Sequence, residues 1–186
     1  MNRTRGFGLV VLAGVVMGGV GIGPVGADQG AREGFQKAFN ERNYKDAYEG
    51  FRKLALDGKT EPGKVGQDLE IATQCLERLN RVNEIDAFRE AVIEVHKGNW
   101  RLLQAAARNT MRVRHQGFMI AGEFWRGRHR GGGKVVNAVE RDRMRALQLM
   151  NQALALAVKD DNHAEVGDFL LEFSRILLNN RGWSES

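Results

Sequence analysis

The sequence predicts an all-α protein built from antiparallel helical hairpins. Three observations carry that expectation. The 186 residues include only two prolines, apolar side chains recur every three or four positions over most of the chain, and strand-like alternation is almost absent. Apolar (42%) and charged (27%) contents are those of an ordinary globular domain with a core of its own.

The first residues stand apart. "MNRTR" is basic, "GFGLVVLAGVVMGGVGIG" carries no charge, and "PVGADQG" follows with small or modest residues at Val25-Gly26-Ala27. This is the pattern of a secretory leader, so residues 1–27 are expected to be cleaved after Ala27 and 28–186 to form the mature domain. The apolar run is glycine-rich and barely long enough to span a bilayer, which favours removal over a membrane anchor. Loss of Arg3 and Arg5 leaves 26 basic against 23 acidic side chains, a net charge of +3. The mature chain is thus nearly balanced, and its site is expected in the periplasm or outside the cell. Cys75 is the single cysteine, so no internal disulfide can form.

Seven amphipathic segments follow in order. The first, about 30–41, places Phe35, Ala38 and Phe39 on one face; the second, about 44–57, places Tyr44, Ala47, Tyr48, Phe51 and Leu54. The turn cluster "LDGKTEPG" ends it. The third, about 64–80, carries Val65, Leu69, Ala72, Leu76 and Leu79, and the fourth, about 83–96, carries Ile85, Phe88, Val92 and Val95. The fifth starts at the N-cap candidate Asn99 and runs through Trp100, Leu103, Ala106, Ala107 and Met111. The pattern lapses over about 114–137. It resumes at about 138–159 with Val139, Ala146, Leu147, Met150, Ala153, Leu154 and Ala157, and at about 162–180 with Val166, Phe169, Leu170, Phe173 and Leu177.

"RNYKDAYEGFRKLALD" is similar to the second helix of a tetratricopeptide repeat, with Tyr44, Ala47, Phe51 and Leu54 at that repeat's tyrosine, small, aromatic and small positions. "ERDRMRALQLMNQALALA" is a fair second-helix copy, "LNRVNEIDAFREAVIEV" a poorer one, and "NWRLLQAAA" fits a first helix. Ala47 and Ile85 lie 38 apart, and Ile85 and Ala146 lie 61 apart, one similar unit plus roughly 24 inserted residues. The expectation is a tetratricopeptide-like right-handed superhelix of about seven helices, interrupted by one long inserted loop over about 114–137. Its groove would be lined from first helices, with Gln74, Gln104 and Arg108 as candidate contacts.

The insertion holds the chemistry to be weighed. "GRHRGGGK" is no phosphate loop, because Arg128 stands where the first glycine belongs and Val135 where the magnesium-binding hydroxyl belongs. From Arg112 to Arg145 there are nine Lys and Arg against three Asp and Glu, with Phe118, Phe124 and Trp125 interleaved. These are ingredients of polyanion binding. Export and the balanced remainder argue against nucleic acid, leaving an anionic polymer or lipid surface as the alternative to a protein partner. Phe124, Trp125, Arg126, Arg128, Arg130 and Lys134 are the candidate contacts, and Arg141, Arg143 and Arg145 are expected to form a solvated, ion-paired face. The histidines show no metal-binding spacing, no nucleophilic triad is visible, and no cofactor is called for.

The run "GNWRLLQAAA" with "HQGFMIAGEFWRGRHRGGGKVVNAVERDRMRALQLMNQAL" resembles the N-terminal helical region of bacterial, planctomycete-type alpha-2-macroglobulin family proteins, over roughly 30–180. The resemblance implies an exported tetratricopeptide-like segment ahead of macroglobulin domains in a protease-inhibitor system, with an adjacent macroglobulin-like domain as one partner. The family's thioester motif, Cys-x-Glu-Gln, is not transferred: Cys75-Leu76-Glu77-Arg78 has arginine in place of the glutamine. The function expected is therefore a non-catalytic protein-interaction or scaffold module.

Overall fold

A computed structural model describes residues 25–178. The expected leader lies outside them, save for its last three residues, which open the first helix. The chain is mostly helical: α1 (Val25–Asn40), α2 (Tyr44–Ala55), α3 (Val65–Arg78), α4 (Ile85–Val95), α5 (Trp100–Arg112), α6 (Val139–Ala157) and α7 (His163–Leu178). No helix among the described residues is long and apolar enough to cross a membrane.

Local signals fix the helix ends. After α1 and α3 the chain turns through left-handed residues, Arg42 (φ 65°) and Asn80 (φ 57°). In each case the next amide reaches back to the last turn, Asn43 to the Ala38 carbonyl and Arg81 to the Leu76 carbonyl, both at 2.8 Å. That pairing satisfies carbonyls a helix end would otherwise leave bare. At the start of α5 the Asn99 side chain accepts from the amides of Arg101 (3.1 Å) and Leu102 (3.3 Å), as expected of an N-cap.

The apolar stripes meet in one core. Ala47, Leu69, Ala72, Leu76, Ile85, Val92, Ala106, Ala146, Met150 and Phe169 are all fully buried within it. Successive helices pack as neighbours, and α3 also packs on α5. At that second crossing a Cβ on Gly66 would stand 2.8 Å from the Ala105 methyl, so the two helices meet at a distance only small residues permit.

The long loop expected over 114–137 is corrected by the structure. The segment forms an antiparallel sheet of β1 (Gln116–Ile120), β2 (Glu123–Arg126) and β3 (Lys134–Asn137), in the order β2-β1-β3. Ala121 (φ 49°) and Gly122 (φ 87°) make the two-residue turn between β1 and β2, whose paired positive angles match the strand twist. The sheet joins α5 to α6, which pack closely on each other. Its polarity is inverted. Gly117 and Arg126, partners across β1 and β2, are buried, whereas Trp125 (41% exposed) and Val135 (68%) face outward beside Phe118. A sheet whose one fully buried side chain is an arginine, with Trp125 and Val135 turned outward, gives little apolar alternation to read.

Candidate functional site

Arg126 organises the inner side of the sheet. Its side chain is 1% exposed, and each guanidinium nitrogen has a partner. Nε and Nη2 donate to Asp86 at 2.9 to 3.1 Å; Nη1 and Nη2 donate to Asp142 at 2.8 and 2.9 Å; Nη1 also donates to the Arg114 carbonyl. Asp86 sits in the first turn of α4 and Asp142 in the first turn of α6, where helix dipoles favour a carboxylate. One guanidinium thereby ties β2 to the N-termini of two helices.

Further groups complete the network. Arg89 (2.7 Å) and Arg141 (3.0 Å) also bind Asp86, and His115 Nδ1 lies 2.8 Å from Asp142. Arg141 and Arg126 lie 4.4 and 5.3 Å from the Phe124 ring centre, so Phe124 caps the cluster rather than facing outward freely. Burial alone would raise the Asp86 carboxyl. The charges of Arg89, Arg126 and Arg141 outweigh it and hold the group at about 2. Burial likewise pulls Arg126 down, and its bonds to Asp142 and Asp86 more than reverse this. Arg89, whose contact with Asp86 does not offset its burial, is left below its ordinary value by desolvation.

The expectation that Arg126 is a free polyanion contact is thus corrected: a fully engaged, buried guanidinium has nothing left to offer a ligand. Arg128, Arg130 and Lys134 do lie exposed around the sheet, as does Trp125. Of the arginines expected on a solvated α6 face, Arg141 joins the buried cluster, Arg145 pairs with Glu90, and Arg143 donates to the Leu177 carbonyl at 3.2 Å.

A second feature is the groove between α5 and α7, about 910 Å³ in volume. Gln104 (2.6 Å) and Arg108 (2.9 Å) both donate to Glu172 within it, so two of the three candidate groove residues meet on one carboxylate. Met111, Leu171 and Ile176 supply apolar surface beside them, and Asp168 and Arg175 supply charge. Gln74 lies elsewhere, on α3, donating to Glu70 at 3.0 Å. Glu70 in turn holds Asn109 (3.3 Å) and Arg112 of α5, which links the two helices through polar groups.

Cys75 is fully buried on α3, and burial pushes its thiol up to about 11. A thiol so placed is a small core residue and not a nucleophile at neutral pH. Among the described residues, no three His, Cys, Asp or Glu side chains gather as a metal-holding group. Sequence reasoning missed Asp86, Asp142, His115 and Arg114. The usable signal was their place in helix first turns and at a strand entry, but nothing in the spacing joins Asp86 to Arg126 across 40 positions. No protein-family model, curated protein or solved structure matches this chain.

Proposed function

We propose that this chain is an exported, non-catalytic interaction module of tetratricopeptide-like architecture. The reading rests on how first helices adjoin one another. Arg32 of α1 pairs with Asp68 of α3 at 2.8 Å, Gly66 of α3 meets Ala105 of α5, and Arg108 of α5 pairs with Glu172 of α7 at 2.9 Å. Trp100 of α5 meets Phe169 of α7 edge-on, with ring centres 5.6 Å apart. First helices in contact with one another along the chain are the arrangement expected of a repeat array. The resemblance to the N-terminal helical region of macroglobulin family proteins is in keeping with it.

The observation that carries the functional reading is the groove between α5 and α7. It combines apolar surface with a charged rim, as peptide-receiving grooves do. Its occupant is a protein segment, with a neighbouring macroglobulin-type domain as the partner the resemblance suggests. Photo-crosslinkers placed at Gln104 and Met111, with a control at Lys45 on α2, test this in envelope preparations. A discrete protein adduct from the groove positions alone is expected. Identical adducts from Lys45, or none from the groove, would refute the reading. Export is tested separately by sequencing the mature N-terminus, expected at Asp28.

A further inference from the structure

We infer that the outer face of the sheet is a binding site for an acidic saccharide. A cleft of about 440 Å³ opens there, lined by Arg114, Gln116, Phe118, Arg128 and Val135 with the backbone of Gly117 and Gly127. Its two guanidiniums differ from most in the molecule. Arg32, Arg101, Arg108, Arg112, Arg126 and Arg145 each pair directly with a carboxylate. Arg114 attracts Glu77 at longer range and, among the described residues, has no carboxylate at ion-pair distance. Among the described residues, Arg128, Arg130 and Lys134 have no carboxylate at ion-pair distance. Exposed guanidiniums converging on one recess without a counter-charge offer paired N–H donors to a sulfate or carboxylate.

The recess is held in shape from beneath. Arg126 donates to the Arg114 carbonyl, and the Gly127 amide donates to the Gln116 carbonyl at 2.9 Å. The backbone on both sides of the cleft is therefore fixed by the buried ion cluster before any ligand arrives, which lowers the entropy lost on binding. The cleft adjoins an aromatic stack. His129 lies 6.0 Å from both Phe118 and Trp125, centre to centre, leaving Trp125 as one exposed platform. One platform beside one pair of guanidiniums matches a sugar ring bearing an oxyanion. A nucleic-acid strand needs successive stacking surfaces, whereas Trp125 is the one aromatic exposed beside the cleft among the described residues. A lipid surface would be gripped by Trp125 and Val135 without need of recessed guanidiniums, and the vesicle arm of the test separates the two.

The test uses the full chain over an immobilised heparin hexasaccharide, which carries both sulfate and carboxylate. Binding is expected at about 50 mM salt and should weaken severalfold at about 300 mM. The double variant Arg114→Ala/Arg128→Ala should bind at least about tenfold more weakly, and Trp125→Ala severalfold more weakly. Trp125→Phe should keep most of the affinity, and the charge-matched Lys45→Ala/Lys53→Ala should stay within about twofold. All the substituted arginine and lysine side chains are solvent-exposed, and unchanged melting curves would establish that each variant folds. Three results would overturn the proposal: no saccharide binding at low salt, equal losses in the lysine control, or retention of oligo-dT or phosphatidylserine vesicles through Arg114 and Arg128 in place of saccharide. Because α5 and α7 take no part, failure here leaves the groove reading intact, and the reverse holds too.

Discussion

Replacing Arg126 with methionine should cost the fold more than any surface change in the chain. The substitution keeps an unbranched stem but removes the guanidinium lying 2.8 to 3.1 Å from two carboxylates. The loss falls unevenly. Asp86 retains Arg89 at 2.7 Å and Arg141 at 3.0 Å. Among the described residues Asp142, 1% exposed, keeps only His115 at 2.8 Å and a distant Arg141 nitrogen at 3.8 Å. A buried carboxylate stripped of its main partner typically costs about 3–5 kcal/mol. Against a domain stability of about 5–15 kcal/mol, that would leave the protein marginal. Urea unfolding followed by ellipticity at 222 nm reads the change directly, as a drop in midpoint at constant slope. The companion variant Arg126→Met/Asp142→Leu removes the stranded charge together with its partner and should recover at least about half of the loss. A single variant losing less than about 1 kcal/mol, or a double variant no better than the single, would refute the claim that the cluster secures the sheet.

Two further outcomes follow from the same region. Asp86 is held at about 2 in the folded chain, against about 3.9 when unfolded. Its folded value is depressed, so its contribution is present above pH ~4 and is lost as the pH falls towards 2, amounting to about 2 kcal/mol. Asp86→Asn should flatten that acid-side loss in a series of urea midpoints, and parallel slopes for both proteins would count against the assignment. Gly127 adopts φ +85°, and a Cβ there would stand 2.1 Å from the Val82 side chain. Gly127→Ala should therefore destabilise by about 1–3 kcal/mol, with Val82→Ala restoring only the steric part because the backbone strain persists. Full restoration in thermal melts would show that the conformation carries no strain.

The helices were legible because their stripes are regular. Phe51, Leu76, Val92, Leu103 and Met150 recur at helical spacing, and each is buried where the pattern put it. Asn99 announced the start of α5 by the same logic, since a side-chain acceptor ahead of an apolar stripe is a strong local signal. The sheet escaped notice because its buried positions are Gly117 and Arg126 while Trp125 and Val135 face water, and because its turn is Ala-Gly instead of the usual Asn-Gly. The exposed candidates Trp125, Arg128, Arg130 and Lys134 were placed by composition alone. Arg126 was misplaced for a reason general to charge runs. Sequence spacing reports how many cations lie together, not which one will find acids contributed by helices 40 residues before it and 16 after.

The sharing of Asp86 among Arg89, Arg126 and Arg141 has a consequence for how the molecule opens. A carboxylate claimed by α4, β2 and α6 at once makes the departure of any one element unfavourable for the other two. Slow amide exchange should then group these elements into a single cooperative unit, opening together near the global free energy, while the exposed Arg130–Gly132 tip exchanges freely. The segment most unlike its surroundings in sequence would thus belong to the most tightly coupled part of the protein.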